Sequence, residues 1–288
     1  MEVMRVQTLA INQLRELPPQ FIRSDNERPE NTKALDGVNV PIISLSQPHH
    51  ILVAKITEAA SDWGFFVIID HGISSKLIQN LQDVGQKFFY LPQKEKEVYA
   101  NDPSIGMFEG YGTKMTKNLE EKIEWLDYYF HLMSPPSRVN YEMWPKNPSS
   151  YREVTEEYNK EILRVTNNIL ERLSEGLALE SNALKSCLGG LQVWKENNWV
   201  AVNYLQNALF VHIGDQLEVL SNGKYKSVLH RSLVNKERKR MSWAAFVSPP
   251  QEVMVGPLPM LVNDQNPPKY STKAYAEYRY RKFNKIPQ

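Results

Sequence analysis

One boundary constrains this chain more than any other. At Gly189-Gly190 the sequence changes its period. Before it, apolar residues recur three and four apart. After it, they come in short runs rich in β-branched and aromatic residues. A helical period and a strand period cannot stand in for one another. The pattern therefore predicts an α+β chain, with a helical first half feeding an antiparallel β second half.

The longest periodic stretch runs from Ser149 to about Leu179. Val154, Tyr158, Ile162, Val165, Ile169 and Leu173 form its apolar stripe, and Gly176 sits near its end. Two shorter helices are predicted upstream, one over 51–63 and one carrying Leu77, Leu81, Val84 and Phe88 on one face. Between them Phe65-Phe66-Val67-Ile68-Ile69 reads as a buried strand, stopped by Asp70-His71-Gly72. Residues 40–45 read as a short β run closing a loose N-terminal arm with one short helix. Residues 106–112 read as a loop and 125–133 as strand. Beyond Gly190, residues 228–234 and 240–247 read as strands. Ser221-Asn222-Gly223-Lys224 reads as a hairpin turn, because Asn-Gly suits two positive φ angles. The tail from Asn263 is rich in Pro and Tyr, with Tyr275, Tyr278 and Tyr280 on a short helix.

The chain has 288 residues, room for one large domain or two small ones. Its 34 Lys and Arg against 33 Asp and Glu leave a net charge of +1. That balance excludes nucleic-acid or membrane binding by bulk charge. The single cysteine, Cys187, excludes a disulfide framework or a multi-cysteine metal site. The longest apolar runs are about five residues, against the ~20 of a membrane span. The first ten residues hold no apolar core of signal-peptide length. The expectation is a soluble, cytoplasmic protein.

Of the six histidines, His49, His50, His71, His131 and His212 sit where packing or a local hydrogen bond accounts for them. His230 has different company. Arg240 and Ser242 follow on the next run, two apart, so in a strand they share a face. A guanidinium and a hydroxyl on one face can clamp a carboxylate. A histidine on the neighbouring strand could hold a metal beside it. An outward-facing Arg and a buried His fit the same spacing.

His230-Arg231 followed by Arg240-Met241-Ser242-Trp243 resembles the distal half of the signature of the plant 2-oxoglutarate/Fe(II)-dependent dioxygenase family. Pro41-Ile42-Ile43-Ser44-Leu45, Trp63-Gly64-Phe65-Phe66, Asp70-His71-Gly72-Ile73, Glu109-Gly110-Tyr111-Gly112, Trp144-Pro145 and Val211-His212-Ile213-Gly214-Asp215-Gln216 are also similar to family segments. Within the family the flavonol synthase branch is nearest in pattern, on Asn222-Gly223-Lys224-Tyr225-Lys226-Ser227 and Lys285-Ile286-Pro287. The resemblance covers almost the whole chain. It implies a helical N-terminal half packed on a double-stranded β-helix, or jelly-roll, core. It divides one structural unit into residues 1–190, mainly helical, 191–250, the jelly-roll strands, and 251–288, the tail. It implies Fe(II) and 2-oxoglutarate as cofactors, ascorbate as reductant, and a small flavonoid as the partner. The implied reaction turns a dihydroflavonol, 2-oxoglutarate and O2 into a flavonol, succinate and CO2. By position His230 is the distal iron ligand, Arg240 and Ser242 bind 2-oxoglutarate, and Tyr128, Phe130 and Phe246 hold the flavonoid.

The chain also departs from the family. No His is followed two residues later by Asp or Glu. His212 and Asp215 are three apart, which in a strand means opposite faces. The family's His-x-Asp segment lies between a double glycine and Leu-Gln-Val. Here Gly189-Gly190 runs straight into Leu191-Gln192-Val193, so about three strands of ~5–6 residues each are expected to be missing from the core. Two of three iron ligands would go with them. Tyr128 and Ser248 also stand where flavonol synthases usually carry His and Glu. Three readings follow: a relative that does not turn over, which is the main one; an active enzyme whose sequence is mispredicted at Gly190-Leu191; and a flavonoid-binding or scaffold protein.

Overall fold

A computed structural model describes residues 5–11, 16–22, 38–102, 107–113, 124–180, 184, 193–195, 198–231, 239–284 and 286–288. The Gly190-Leu191 junction and the charged turn at 235–238 lie outside the described residues. In chain order the helices are α1 (Val6–Ile11), α2 (His49–Asp62), α3 (Ser75–Tyr90), α4 (Gln93–Glu97), α5 (Tyr151–Gly176), α6 (Asp215–Leu220) and α7 (Tyr275–Phe283). The strands are β1 (Ile42–Ser44), β2 (Phe65–Ile69), β3 (Gly110–Gly112), β4 (Tyr128–Phe130), β5 (Val193–Lys195), β6 (Asn198–Val200), β7 (Leu209–His212), β8 (Met254–Val255) and β9 (Lys273–Ala274). The α+β class read from the sequence is what forms. The chain makes two compact units, interleaved in sequence: 1–32 with 74–160, and 33–73 with 161–288. The boundary after Lys160 falls inside α5.

In the first unit, α3 buries the stripe its spacing predicts, with Leu77, Leu81, Val84 and Phe88 all at 5% exposure or less. Phe88 sits edge-on to Tyr129 at 4.7 Å and to Tyr111 at 6.1 Å between ring centroids. Tyr111 lies on β3, which pairs antiparallel with β4. The loop expected over 106–112 therefore ends in a strand. A three-residue strand rich in glycine carries no periodic signal.

The N-terminal arm is not loose where it is described. Asp127 accepts the backbone N–H of Val6 at 3.0 Å and of Gln7 at 2.7 Å, capping α1 from a distant part of the chain. The same carboxylate accepts the Thr113 hydroxyl at 2.5 Å. Arg5 is buried, paired with Glu97 at 2.8 Å and stacked over the Tyr111 ring. Leu9 and Phe21 pack with Val6, and Trp125 meets Phe21 edge-on.

In the second unit β2 is the central strand. It runs parallel to β1, with Val67 opposite Ile42, and antiparallel to β7, with Phe65 opposite His212. Phe65, Phe66 and Ile68 are fully buried, as an apolar run without alternation requires. α2 packs against β1 and β2, and its Ile56 and Ala60 are fully buried. Gly64 ends α2 at φ +63°, and a Cβ there would lie 2.2 Å from the Lys226 carbonyl oxygen. Tyr225, beside Lys226, is buried and donates its hydroxyl to the Leu173 carbonyl of α5 at 2.6 Å.

Two expectations fail here. Asn222 and Gly223 do take positive φ, +50° and +77°. The turn they make closes α6, however, and is not a hairpin. Asn222 is fully buried and bridges to the tail, donating to the Pro267 carbonyl at 3.0 Å and accepting from the Lys269 N–H at 2.8 Å. Residues 228–231 and 239–247 form no strand. A strand propensity is realised only against a neighbour, and these residues have none in a ladder.

Two measurements check these packings. Gly64→Ala meets both a backbone clash and a left-handed φ and is expected to cost about 2–4 kcal/mol in urea unfolding. In the first unit, burial holds the His131 imidazole down to about 4. Its Nε2 meets the Tyr151 hydroxyl at 3.0 Å. The unfolded chain takes up this proton near the ordinary pKa of about 6.5, the folded chain only near 4. The neutral ring's contribution to stability is thus complete above about 6.5 and lost as pH falls toward 4. His131→Phe should flatten the acid slope of stability in that window by up to about 1.4 kcal/mol per pH unit.

Candidate functional site

Tyr128 and Phe130 belong to the first unit, on β4. The Tyr128 hydroxyl accepts the Asn101 side-chain amide at 2.7 Å, and burial raises its pKa above the ordinary phenol value. Both residues are half-buried. His230, Arg240, Ser242 and Phe246 belong to the second unit, and all four are exposed. Arg240 and Ser242 are neighbours, with Arg240 Nη1 donating to Ser242 Oγ at 3.3 Å. They meet on a segment without assigned secondary structure and not on a strand face, which corrects the β reading of this run. Their chemistry is nonetheless that of a carboxylate clamp: a fixed positive fork and a hydroxyl. Phe246 is 70% exposed.

His230 stands against His212, with ring centroids 4.7 Å apart. His212 closes β7, where its ring meets Phe65 edge-on at 4.6 Å. Burial, and then the neighbouring His230, push its pKa down to about 3, so it is a neutral imidazole in ordinary buffers. Sequence spacing placed His212 in a β run but could not place it beside His230, because the pairing of β7 with β2 joins distant segments.

The nearest carboxylate in the sequence pattern, Asp215, is committed elsewhere. It opens α6 and accepts the Ser227 hydroxyl at 2.5 Å, the Lys282 ammonium at 2.7 Å and the Tyr278 hydroxyl. Among the described residues no three His, Cys, Asp or Glu side chains converge on a point where a metal ion could sit. An iron centre of the 2-His-1-carboxylate type needs three protein ligands on one face. His230 with His212 and without a carboxylate does not supply that set.

Comparison with known proteins defines the class. Residues 40–147 match the model described as non-haem dioxygenase in morphine synthesis N-terminal, and residues 177–249 match the 2OG-Fe(II) oxygenase superfamily. The chain belongs to the plant 2-oxoglutarate/Fe(II)-dependent dioxygenase family. Within it the chain lies close to flavonol synthases. It is 45% identical to Flavonol synthase 1 of Crocosmia x crocosmiiflora, over all of both chains, and 43% identical to Flavonol synthase/flavanone 3-hydroxylase of Petunia hybrida, over all of this chain and 97% of that one. The crystal structure of JOX2 in complex with 2OG, Fe and JA superposes with a TM-score of 0.88 at 30% identity, covering all of this chain and 96% of that one. Fe(II) and 2-oxoglutarate are the cofactors of the family. No helix among the described residues is long and apolar enough to cross a membrane.

The Crocosmia alignment spans 335 positions, whereas this chain has 288 residues, so about 47 alignment positions have no residue here. That is room for several strands of ~5–6 residues with their turns.

The two histidines should respond differently to removal. His212→Ala empties a buried position beside Phe65 and is expected to cost about 2 kcal/mol or more in chemical denaturation. His230→Ala should stay within about 0.5 kcal/mol of the parent.

Proposed function

We propose that this chain is a flavonol synthase-like dioxygenase fold that does not turn over as written. The observation that carries the proposal is the ligand set. No histidine in the sequence has Asp or Glu two residues on, and no three ligating side chains converge among the described residues. His230 is the one family ligand retained, and its neighbour is a second imidazole, not a carboxylate. Arg240 and Ser242 keep the chemistry that binds the far carboxylate of 2-oxoglutarate, with nothing to orient its other end. Tyr128, Phe130 and Phe246 are the flavonoid contacts, and Ser248 in place of Glu weakens that set. In chain terms we assign 1–190 to the helical region, 191–250 to the remaining jelly-roll strands and 251–288 to the tail, in a cytoplasmic protein.

The family reaction, dihydroflavonol with 2-oxoglutarate and O2 to flavonol, succinate and CO2, is what a restored chain would carry out, with ascorbate as reductant. The shortfall of about 47 alignment positions favours a product that has lost a coding segment over one that has drifted residue by residue.

Fe(II) titration and a succinate assay with 2-oxoglutarate test the proposal. The expected result is no stoichiometric iron and no succinate above background. Inserting the His-x-Asp segment of a flavonol synthase between Gly190 and Leu191 should restore both. Iron bound one-to-one with turnover in the chain as written would overturn the proposal. A transcript that reads through the junction with His-x-Asp would reassign the chain to the active enzyme. Flavonoid binding without turnover would identify it as a binding protein.

A further inference from the structure

The C-terminal helix stands apart from the rest of its unit in how it is held. α7 has nine residues and none of them is buried. A helix of that length is not stable alone in water, so its order comes from docking, and that docking is polar. At its start the Tyr275 N–H donates to the Val253 carbonyl at 2.9 Å and the Ala276 N–H to the Gln251 carbonyl at 2.8 Å. These bonds continue from the two-residue pairing of β8 with β9. At its far end the contacts converge on Asp215. Lys282 Nζ donates to Asp215 Oδ2 at 2.7 Å, and the Tyr278 hydroxyl donates to the same oxygen. The other oxygen, Oδ1, takes Ser227 Oγ at 2.5 Å.

The two oxygens of Asp215 thus have separate duties. Oδ1 closes the loop that runs from α6 to Ser227, and Oδ2 faces the tail. A second tie, the Tyr270 hydroxyl to Glu218 Oε1 at 2.8 Å, lies ahead of α7 and is untouched by anything α7 does. Asn222 fixes the tail further back, at Pro267 and Lys269. The segment through Ala276 is therefore anchored independently, by these ties and by the β8–β9 pairing, and the stretch after it is the part that meets the Asp215 latch.

We propose that α7 is a detachable C-terminal strap, latched by Asp215 through Tyr278 and Lys282, that undocks while the rest of its unit stays folded. Local opening of this kind draws on elements with few buried apolar contacts, and α7 has no buried residue. The latch involves neither His230 nor the 2-oxoglutarate clamp, so it is independent of whether the chain binds iron.

Hydrogen-exchange mass spectrometry on the full chain tests this. In the parent, amides of 277–283 should exchange faster than those of β2 and of the 161–176 half of α5. The double variant Tyr278→Phe, Lys282→Gln removes both donors while leaving Asp215 and Ser227 in place. It should raise exchange across 277–283 by about tenfold and leave β2 and α5 unchanged. Asp215→Asn should reproduce the rise in α7. A change of less than twofold in α7 in both variants would overturn the latch. Loss of protection spreading equally into β2 and α5 would overturn the detachable strap, because α7 would then be integral to the fold.

Discussion

The second unit depends on one pairing, that of Phe65–Ile69 with Leu209–His212. β2 is buried along nearly its whole length and makes ladder bonds on both sides. Everything that could serve chemistry in this unit is referred to it. His212 ends the strand opposite Phe65, His230 leans on His212, and the chain between them passes through α6 and the Asn222 turn before returning at Lys226, under Gly64. The main chain at Gly64 and Lys226 approaches too closely for any side chain to intervene. That contact sets where the following segment leaves the sheet.

From that point outward the structure loses its regular partners. Arg240 and Ser242 remain beside each other, but outside any strand and open to solvent. Two side chains that reach one carboxylate need no sheet to do so. Three that enclose a metal ion do, because their mutual geometry is fixed only by strands held in register. The Arg240–Ser242 contact is a local feature of a few residues. Among the described residues no three ligating side chains converge in this way. The likeness to flavonol synthases runs along the whole chain.

Much of the fold was legible in the sequence where a single segment decides it. The uninterrupted Phe65–Ile69 run could only be a buried strand, and the Leu77, Leu81, Val84, Phe88 stripe only a helix face. The long helix was legible for the same reason, as was α7 from its tyrosine spacing. What was not legible depended on a distant partner. The alternation in 239–247 carries strand propensity without anything to pair with. Asn222-Gly223 was read for its turn chemistry, which is realised, but the elements it joins are decided by the tail residues Asn222 binds. α6 was hidden in a β-rich region, its only local sign the Gly214-Asp215 start. Of the candidate site, the Arg240–Ser242 neighbourhood was legible from their spacing, whereas the His212–His230 contact required the pairing of β2 with β7.

The capping of α1 by Asp127 has a consequence for the chain during its synthesis. The N–H of Val6 and the carboxylate that receives it are 121 residues apart. At roughly 5–20 residues per second, the first helix leaves the ribosome roughly 6–24 seconds before its cap exists. Until Glu97 and Tyr111 have been made, Arg5, later buried between them, is a solvated cation. The capping of α1 thus waits on a residue 121 positions further along the chain.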